Sequence, residues 1–424
     1  YKRQTEHGSL PNGWRAMTLG SMLADGAISM QNGYPEGSHN QSGQGVPHLR
    51  PFNISGVGTV NLSQIKYVSP PAANSPYWLQ PKDVIFNNTN SEELVGKTAY
   101  FNAEGAYVLS NHMTRLRVIH ENKIDAYWLS RYFDYLWQNG VFHVLCRRHV
   151  NQASVSLERL KGLLLALPPL PEQRAIAHVL QAVQQAREAT ERAITSAREL
   201  KRSLLRYLFT YGPVPVAEAD KVTLKETEIG LVPESWSVES LESAVVAGGG
   251  SLQTGPFGSL LHASSYVRDG VPFVMPKDLT SSGRISVNSV ARVGNQDFLR
   301  LTRYHLKTGD ILVARRGELG RRGLVTNEEE GWLCGSGCLR IRPGSQLLPK
   351  YLASAFEATG LRDWLQANAL GTTMANLSTQ ILSRMPIMLP NISGQQDIAH
   401  DLSALENKIS AERQRQQAMD ILFK

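Results

Sequence analysis

The stretch Leu167-Pro168-Pro169-Leu170-Pro171-Glu172-Gln173-Arg174-Ala175-Ile176-Ala177-His178 governs the reading of the whole chain, because its key residues occur twice. Leu167-Pro168, Gln173 and Ile176-Ala177-His178 return as Leu389-Pro390, Gln395 and Ile398-Ala399-His400, from 178 to 400 an offset of 222. Further out, Pro11 and Trp14 return as Pro233 and Trp236 at the same offset. Between these anchors Gly45-Val46-Pro47 matches Gly270-Val271-Pro272, Asp83-Val84-Ile85 matches Asp310-Ile311-Leu312, and Leu116-Arg117-Val118 matches Leu339-Arg340-Ile341. Their offsets of 225, 227 and 223 drift by only a few residues. Anchors kept in order with so little drift mark two copies of one unit. A length of 424 residues, at roughly 100–200 per domain, also calls for more than one.

The character of the chain changes at the repeated stretch. Before it come short apolar runs such as Asp83–Phe86 and Asp310–Ala314, separated by Gly-rich turns, which predict strands of a mixed α/β domain. Three- and four-residue apolar spacing predicts helices over Ala126–Leu136 and Tyr351–Trp364. After it, Glu172–Phe209 contains no Gly and no Pro. Ile176, Val179, Val183, Ala186, Thr190, Ala193, Ala197, Leu200, Leu204 and Leu208 form a near-heptad stripe, the signature of a long helix needing a partner. Ile398, Leu402, Leu405 and Ile409 in the second copy supply one, so two long helices are expected to pair as a spacer between globular domains, the alternative being that each is buried in its own domain.

Composition narrows the function. Lys and Arg number 44 against 37 Asp and Glu, and the sequence pI is about 9.2, which favours a polyanionic partner. No apolar run approaches the roughly 20 residues of a membrane span, and three cysteines cannot build a disulfide framework, so a reducing cytoplasm is expected. The first residue is Tyr1, and the native start is expected upstream of it.

Catalytic patterns are missing. Val95-Gly96-Lys97-Thr98 resembles the tail of a phosphate-binding loop, but Ser91 stands where its leading glycine belongs. Gly248-Gly249-Gly250 lacks dinucleotide-loop spacing and reads as a flexible loop. Cys334 and Cys338 read as buried strand thiols rather than half of a zinc site, and His178 and His400 as packing or capping residues on the helices. No methyltransferase, hydrolase or nuclease motif can be assembled, so neither a catalytic residue nor a metal ligand is assigned. Basic clusters are the stronger feature. Arg315, Arg316, Arg321 and Arg322 follow a predicted strand, and Arg147-Arg148 precedes the long helix of the first copy. Thr372 and Thr373 occupy the aligned place in the second copy. Arginine can hold phosphate or pair with guanine, and Asn or Gln with adenine.

With these residues assembled, the chain resembles the specificity (S) subunits of type I restriction–modification enzymes. The resemblance covers nearly the whole chain. It rests on the domain starts Pro11/Trp14 and Pro233/Trp236, on Leu167–Gln173 with Ile176-Ala177, and on Phe86–Ser91 with Leu94–Lys97. Gly309–Leu312 with Arg315-Arg316-Gly317 is the second copy's variant of that last segment. The resemblance implies two mixed α/β (α+β) target-recognition domains in pseudo-twofold arrangement, joined by an antiparallel two-helix coiled coil. The expected divisions are 1–155 and 216–385 for the recognition domains, with conserved helical regions at 156–215 and 386–424. Each domain would read one half of a split double-stranded DNA site, and the helices would set the gap. The expected DNA contacts are Asn87, Asn88, Asn90, Lys97, Arg147, Arg148, Lys277, Arg315, Arg316, Arg321, Arg322, Thr372 and Thr373. Helix pairing and partner docking would fall to Ile176, Val179, Val183, Leu200, Leu204, Ile398, Leu402, Leu405 and Ile409. The resemblance further implies no catalysis and no cofactor in this chain. Two modification methyltransferase subunits and a restriction–translocase subunit would carry S-adenosylmethionine, ATP and Mg2+. Asn88 departs from the arginine common there in the family, and the second helix, closing at Lys424, matches the first over a shorter length. Readings from other classes are a coiled-coil scaffold without DNA specificity and a self-contained methyltransferase or nuclease.

Overall fold

The computed structural model describes all residues except 1–3, 6–7, 151, 257–259, 281, 288–289, 317–319, 370–376 and 423–424. The chain forms two compact units, Tyr1–Ala186 and Arg187–Lys424.

The first unit is built on a four-stranded antiparallel sheet in the order Ile28–Asn32, Met113–Val118, Val84–Asn87, Thr98–Tyr100. Strand alternation sends Val84, Phe86 and Leu116 to one face, where they pack with Trp128, Leu129 and Phe133 of the helix Ala126–Gln138. Ile85, Ala99 and Met113 go to the other face and pack with Leu49 and Leu109 of a three-stranded sheet, Val108–Leu109, Val46–Leu49, Lys66–Val68. Burial on both faces is why Val84-Ile85-Phe86 reads as an unbroken apolar run.

The second unit repeats the four-stranded sheet, and its smaller sheet has four strands where the first unit's has three. Its sheet runs Ser251–Thr254, Cys338–Arg342, Ile311–Ala314, Arg322–Leu324, and Val271–Val274 with Leu333–Cys334 repeats the parallel pair of the smaller sheet. One polar device is also duplicated. Buried Asp83 accepts two bonds from Arg117, at 2.6 and 2.7 Å, and one from the Gln80 amide. Buried Asp310 does the same with Arg342, at 2.7 and 2.6 Å, and the Lys307 amide. The bidentate fork fixes the turn entering the central strand, which is why an aspartate begins both matched segments.

In both copies the repeated Leu-Pro stretch is where strand becomes helix. Leu164–Leu167 pairs with Arg15–Thr18, and Pro386–Leu389 with Ser237–Ser240, before helices Leu170–Tyr211 and Ile392–Leu422 begin. Gln173 is buried: its Oε1 accepts from the Asp125 amide at 2.9 Å and its Nε2 donates to the Pro168 carbonyl at 2.9 Å. Gln395 repeats this with the Leu348 amide at 2.8 Å and the Pro390 carbonyl at 3.1 Å. The repeated spacing thus encodes a pin holding each helix to its own domain. Gly212, at φ +82°, supplies the left-handed residue that ends the first helix.

Within the second unit the helices pair antiparallel: Arg187 meets Asp420 at 2.9 Å, and further along Lys201 meets Glu406 at 2.7 Å. Leu205 and Leu208 pack in one core with Ile398 and Leu402, and Ile409 is buried. The seam differs from the expected stripe. Thr190, Ile194 and Ala197 are buried, while Leu200 is 57% exposed and Lys201 takes the seam position. One residue turns the helix by about 100°. The seam accepts the lysine because its ammonium reaches Glu406 and, at 2.8 Å, Glu357. Val179 is likewise 59% exposed, whereas Ile176, Val183, Leu204 and Leu405 are half-buried. His178 and His400 lie on the helices but point to solvent rather than packing or capping. The helix expected over Tyr351–Trp364 is two, Pro349–Ala355 and Thr359–Asn368, broken where Glu357 and Ala358 make tighter bonds to Ser354 and Ala355.

All three cysteines are free and buried. Burial pushes the Cys334 thiol up to about 12 and raises that of Cys338, so both are inert strand thiols. Among the described residues no group of His, Cys, Asp and Glu could hold a metal, and no helix is long and apolar enough to cross a membrane.

Candidate nucleic-acid interface

In the first unit the central strand ends at Asn87, and the chain then enters a small three-stranded sheet. Thr89–Asn90 pairs with Ala153–Ser154, which pairs with Arg147–Arg148. Two clusters separated by nearly sixty residues in sequence are thereby brought side by side. Arg147 is exposed. Arg148 is also exposed and meets Glu92 at 2.5 Å, a carboxylate shared with His143 at 3.0 Å. Asn88 is half-buried, its Oδ1 accepting from the Thr114 hydroxyl at 3.1 Å, and the Asn90 side chain accepts from the Ser91 amide at 2.8 Å. Lys97 donates to the Ile54 carbonyl at 3.3 Å and lies 5.5 Å from the Trp137 ring centre. Burial lowers its pKa. Asn87 does not reach the surface. It is fully buried and donates to the Leu94 carbonyl at 3.0 Å, closing the loop that returns through Gly96. An asparagine at a strand end serves a turn as well as a ligand, and here it serves the turn.

The second unit repeats the exit with different side chains. Arg315 stands where Asn88 stands: its amide bonds the Gly337 carbonyl as that of Asn88 bonds His112, and its carbonyl accepts from Leu377 as that of Asn88 accepts from Val155. Its guanidinium is half-buried and donates to the Leu377 carbonyl at 3.0 Å. Arg316 is exposed. Arg321 is half-buried and donates to the Leu279 carbonyl. Arg322 is buried and paired with Glu357, so it belongs to the ionic cluster under the sheet rather than to an open surface. Its charge alone suggested otherwise; its place on an edge strand facing Glu357 decides the matter. Lys277 is exposed at the tip of the turn Pro276–Asp278, where buried Asp278 accepts from the Met275 amide at 2.9 Å. Thr372 and Thr373 lie outside the described residues.

The first unit has the same turn, Pro51–Asn53, with buried Asn53 accepting from the Arg50 amide at 2.9 Å and Phe52 at the tip in place of Lys277. Sequence reading passed over it. The 225-residue offset that matches Val46-Pro47 to Val271-Pro272 would have paired Phe52 with Lys277 had it been followed five residues further. Beside the turn, His39 and His48 are stacked with ring nitrogens 2.9 Å apart. Burial, then the charge of His39, brings His48 down to about 4, and burial followed by Arg50 and Lys66 lowers His39.

Two duplicated α/β units, each with a polar loop at the end of its central strand and a long helix pinned to it, define a recognition scaffold. The model of the type I restriction modification DNA specificity domain matches residues 53–197 and 271–419, more than half of the chain. The protein belongs to this family, and it is a DNA sequence-recognition subunit of the type I restriction–modification class. Specificity subunits of the family are non-catalytic. The chain is 25% identical over 427 residues to a Methanocaldococcus jannaschii protein described as the MjaX specificity subunit of a type I restriction enzyme, covering 99% of this chain and 92% of that one. It is 23% identical over 419 residues to the EcoBI specificity subunit of Escherichia coli, covering 94% and 80%. Among solved structures, a type I S subunit from M. genitalium superposes with a TM-score of 0.62 at 12% identity, covering 98% of this chain and 95% of that one.

Proposed function

We propose that the chain reads a split duplex DNA site, one half with each unit, and that its paired helices set the gap between the halves. One observation carries this reading. Asn88 and Arg315 occupy equivalent exits on equivalent strands, held by the same backbone bonds, yet differ in chemistry. A scaffold kept constant while its presented side chains vary suits two readers of different sequences. The best-placed contacts in the first unit are Asn88, Asn90, Lys97, Arg147 and Arg148. In the second they are Arg315, Arg316, Arg321 and Lys277, with Thr372 and Thr373 retained from sequence.

The chain works in the cytoplasm with partners. The helices dock two modification subunits, which carry S-adenosylmethionine and methylate adenine at N6, and a restriction–translocase subunit supplies ATP- and Mg2+-dependent cleavage. This chain itself holds no cofactor. Phosphate contacts supply much of the affinity, so binding weakens with salt at a log–log slope near −0.9 per phosphate neutralised. The test is methylome sequencing of cells expressing the chain with the modification subunit of its own system. A bipartite methylated motif with a constant gap is expected. Methylation of a continuous motif, or none that depends on this chain, refutes the reading.

A further inference from the structure

Phe52 is 48% exposed although the turn carrying it is firmly held. Pro51 restricts the backbone at the first position of the turn. Asn53 is fully buried, accepts from the Arg50 amide and donates to the Asn61 carbonyl at 2.9 Å, while the Asn61 amide returns a bond to the Asn53 carbonyl at 2.7 Å. Ile54 anchors the far side in the core. The ring is therefore presented by a braced turn.

Arg50 lies over this ring, its guanidinium carbon 4.6 Å from the ring centre. Among the described residues Arg50 forms no ion pair and its buried Nε has no hydrogen-bond partner. Three other arginines of the unit meet carboxylates, Arg117 with Asp83, Arg131 with Asp134 and Arg148 with Glu92, and Arg115, Arg159 and Arg174 donate to backbone carbonyls. An aromatic ring capped by a guanidinium without a counter-ion is chemically suited to a partner that is both aromatic and anionic. Lys97 bonds the Ile54 carbonyl and so joins this turn to the loop bearing Asn88 and Asn90, making the turn continuous with the proposed reading edge. In the second unit the equivalent tip residue is the cation Lys277, so the position varies while its brace is kept.

We propose that Phe52 and Arg50 form a stacking contact to DNA, in which the ring packs against an unstacked base of the first half-site and the guanidinium meets the adjoining phosphate. This rests on the first unit being a half-site reader, and it adds a specificity determinant to that reading. Aromatic side chains that stack on bases contribute substantially to nucleic-acid affinity, and apolar wedges at base steps locally unstack the duplex.

The experiment uses the full chain assembled with its modification subunits, and a duplex carrying the methylated motif with 2-aminopurine placed through the first half-site. Wild type should raise the fluorescence at one position. Phe52→Ala should abolish that rise and weaken binding about tenfold, without altering dependence on the second half-site. Phe52→Trp should retain the signal. Phe52→Lys, which installs the second unit's residue, should relax the first half-site at a single position. Because Phe52 is half exposed, thermal unfolding of the variants should match wild type. Unchanged binding and an unchanged methylation motif in Phe52→Ala would overturn the proposal. So would failure of that variant to co-purify with the modification subunits, which would make Phe52 a protein contact. If wild type itself prefers no sequence, the half-site reading fails first and this contact falls with it; a specific wild type with an indifferent Phe52→Ala sinks the contact alone.

Discussion

Removing the Lys201 ammonium should weaken the second unit more than any exposed substitution on the same helix. Lys201 lies at the helix seam with its side chain 14% exposed, and Nζ contacts Glu357 at 2.8 Å and Glu406 at 2.7 Å. Arg322 is the other cation on Glu357. Lys201→Met keeps the length and apolar stem but leaves Glu406 unpaired and Glu357 with one cation instead of two. Breaking a fully buried pair costs about 3–5 kcal/mol. These groups are only partly sealed and Arg322 remains, so about 2 kcal/mol is expected. The pH dependence follows from Glu357. Burial raises its pKa, but Arg322 and then Lys201 outweigh that, holding the carboxyl below its usual range. A depressed folded pKa gives stability that is present above about pH 4.3, the unfolded value, and is lost as pH falls through the folded value. In Lys201→Met the folded pKa moves up toward the unfolded value, so the acid-linked loss of stability is smaller and is complete at a higher pH. The assay is urea unfolding at pH 7 and across pH 3–6, with amide exchange followed in the segment 398–409. A loss of about 2 kcal/mol corresponds to a midpoint shift of roughly 1 M urea. A Lys201→Met protein as stable as wild type, with unchanged pH dependence, would refute the reasoning. Full additivity with Glu357→Gln would refute the claimed coupling.

Gln173→Ala and Gln395→Ala each remove a buried pin with bonds to a domain amide and a prolyl carbonyl. Each should cost about 2–3 kcal/mol in its own unit, measured by local amide exchange, and an equal loss in both units from one substitution would contradict the assignment. Asp83→Asn and Asp310→Asn should each cost about 2 kcal/mol, because a half-buried arginine loses the buried carboxylate that its fork grips; a melting temperature within a degree of wild type would show that the duplicated pair is ornamental to stability. Arg147→Ala with Arg148→Ala should lower the salt slope of DNA binding by one to two phosphates and leave the second half-site untouched, whereas an unchanged slope would return both arginines to solvated surface. Four residues inserted near Thr190 lengthen the first helix by about 6 Å and should widen the methylated gap while sparing both half-sites; a folded, active variant with the original gap would show that these helices do not set it.

How much was legible depended on whether a residue's role was local. Asp83 and Asp310 head buried strands, and their apolar runs identify the strands without any knowledge of the fold. The long helix was equally plain, since Glu172–Phe209 has nothing to interrupt it. Its seam was read one residue off at Leu200, because hydropathy ranks leucine above lysine and cannot register two glutamates waiting on other elements. Arg322 was misjudged for the same reason: only the sheet brings it to Glu357, thirty-five residues away. Phe52 went unnoticed because an isolated phenylalanine in a turn has no periodicity to reveal it.

By itself the sequence determined that there are two copies of one unit and where the central strand and the long helix of each copy lie. These follow from repetition, periodicity and residue type, which are properties of the chain read in order. Tertiary structure alone decided which polar residues turn inward and which remain available. Asn87 and Arg322 are used up inside the units, Arg147 and Arg316 stay exposed, and Asn88 and Arg315 share one place in two settings. The physical reason is that a charge or amide is committed by the partners folding brings within about 3 Å, and those partners lie tens of residues away along the chain.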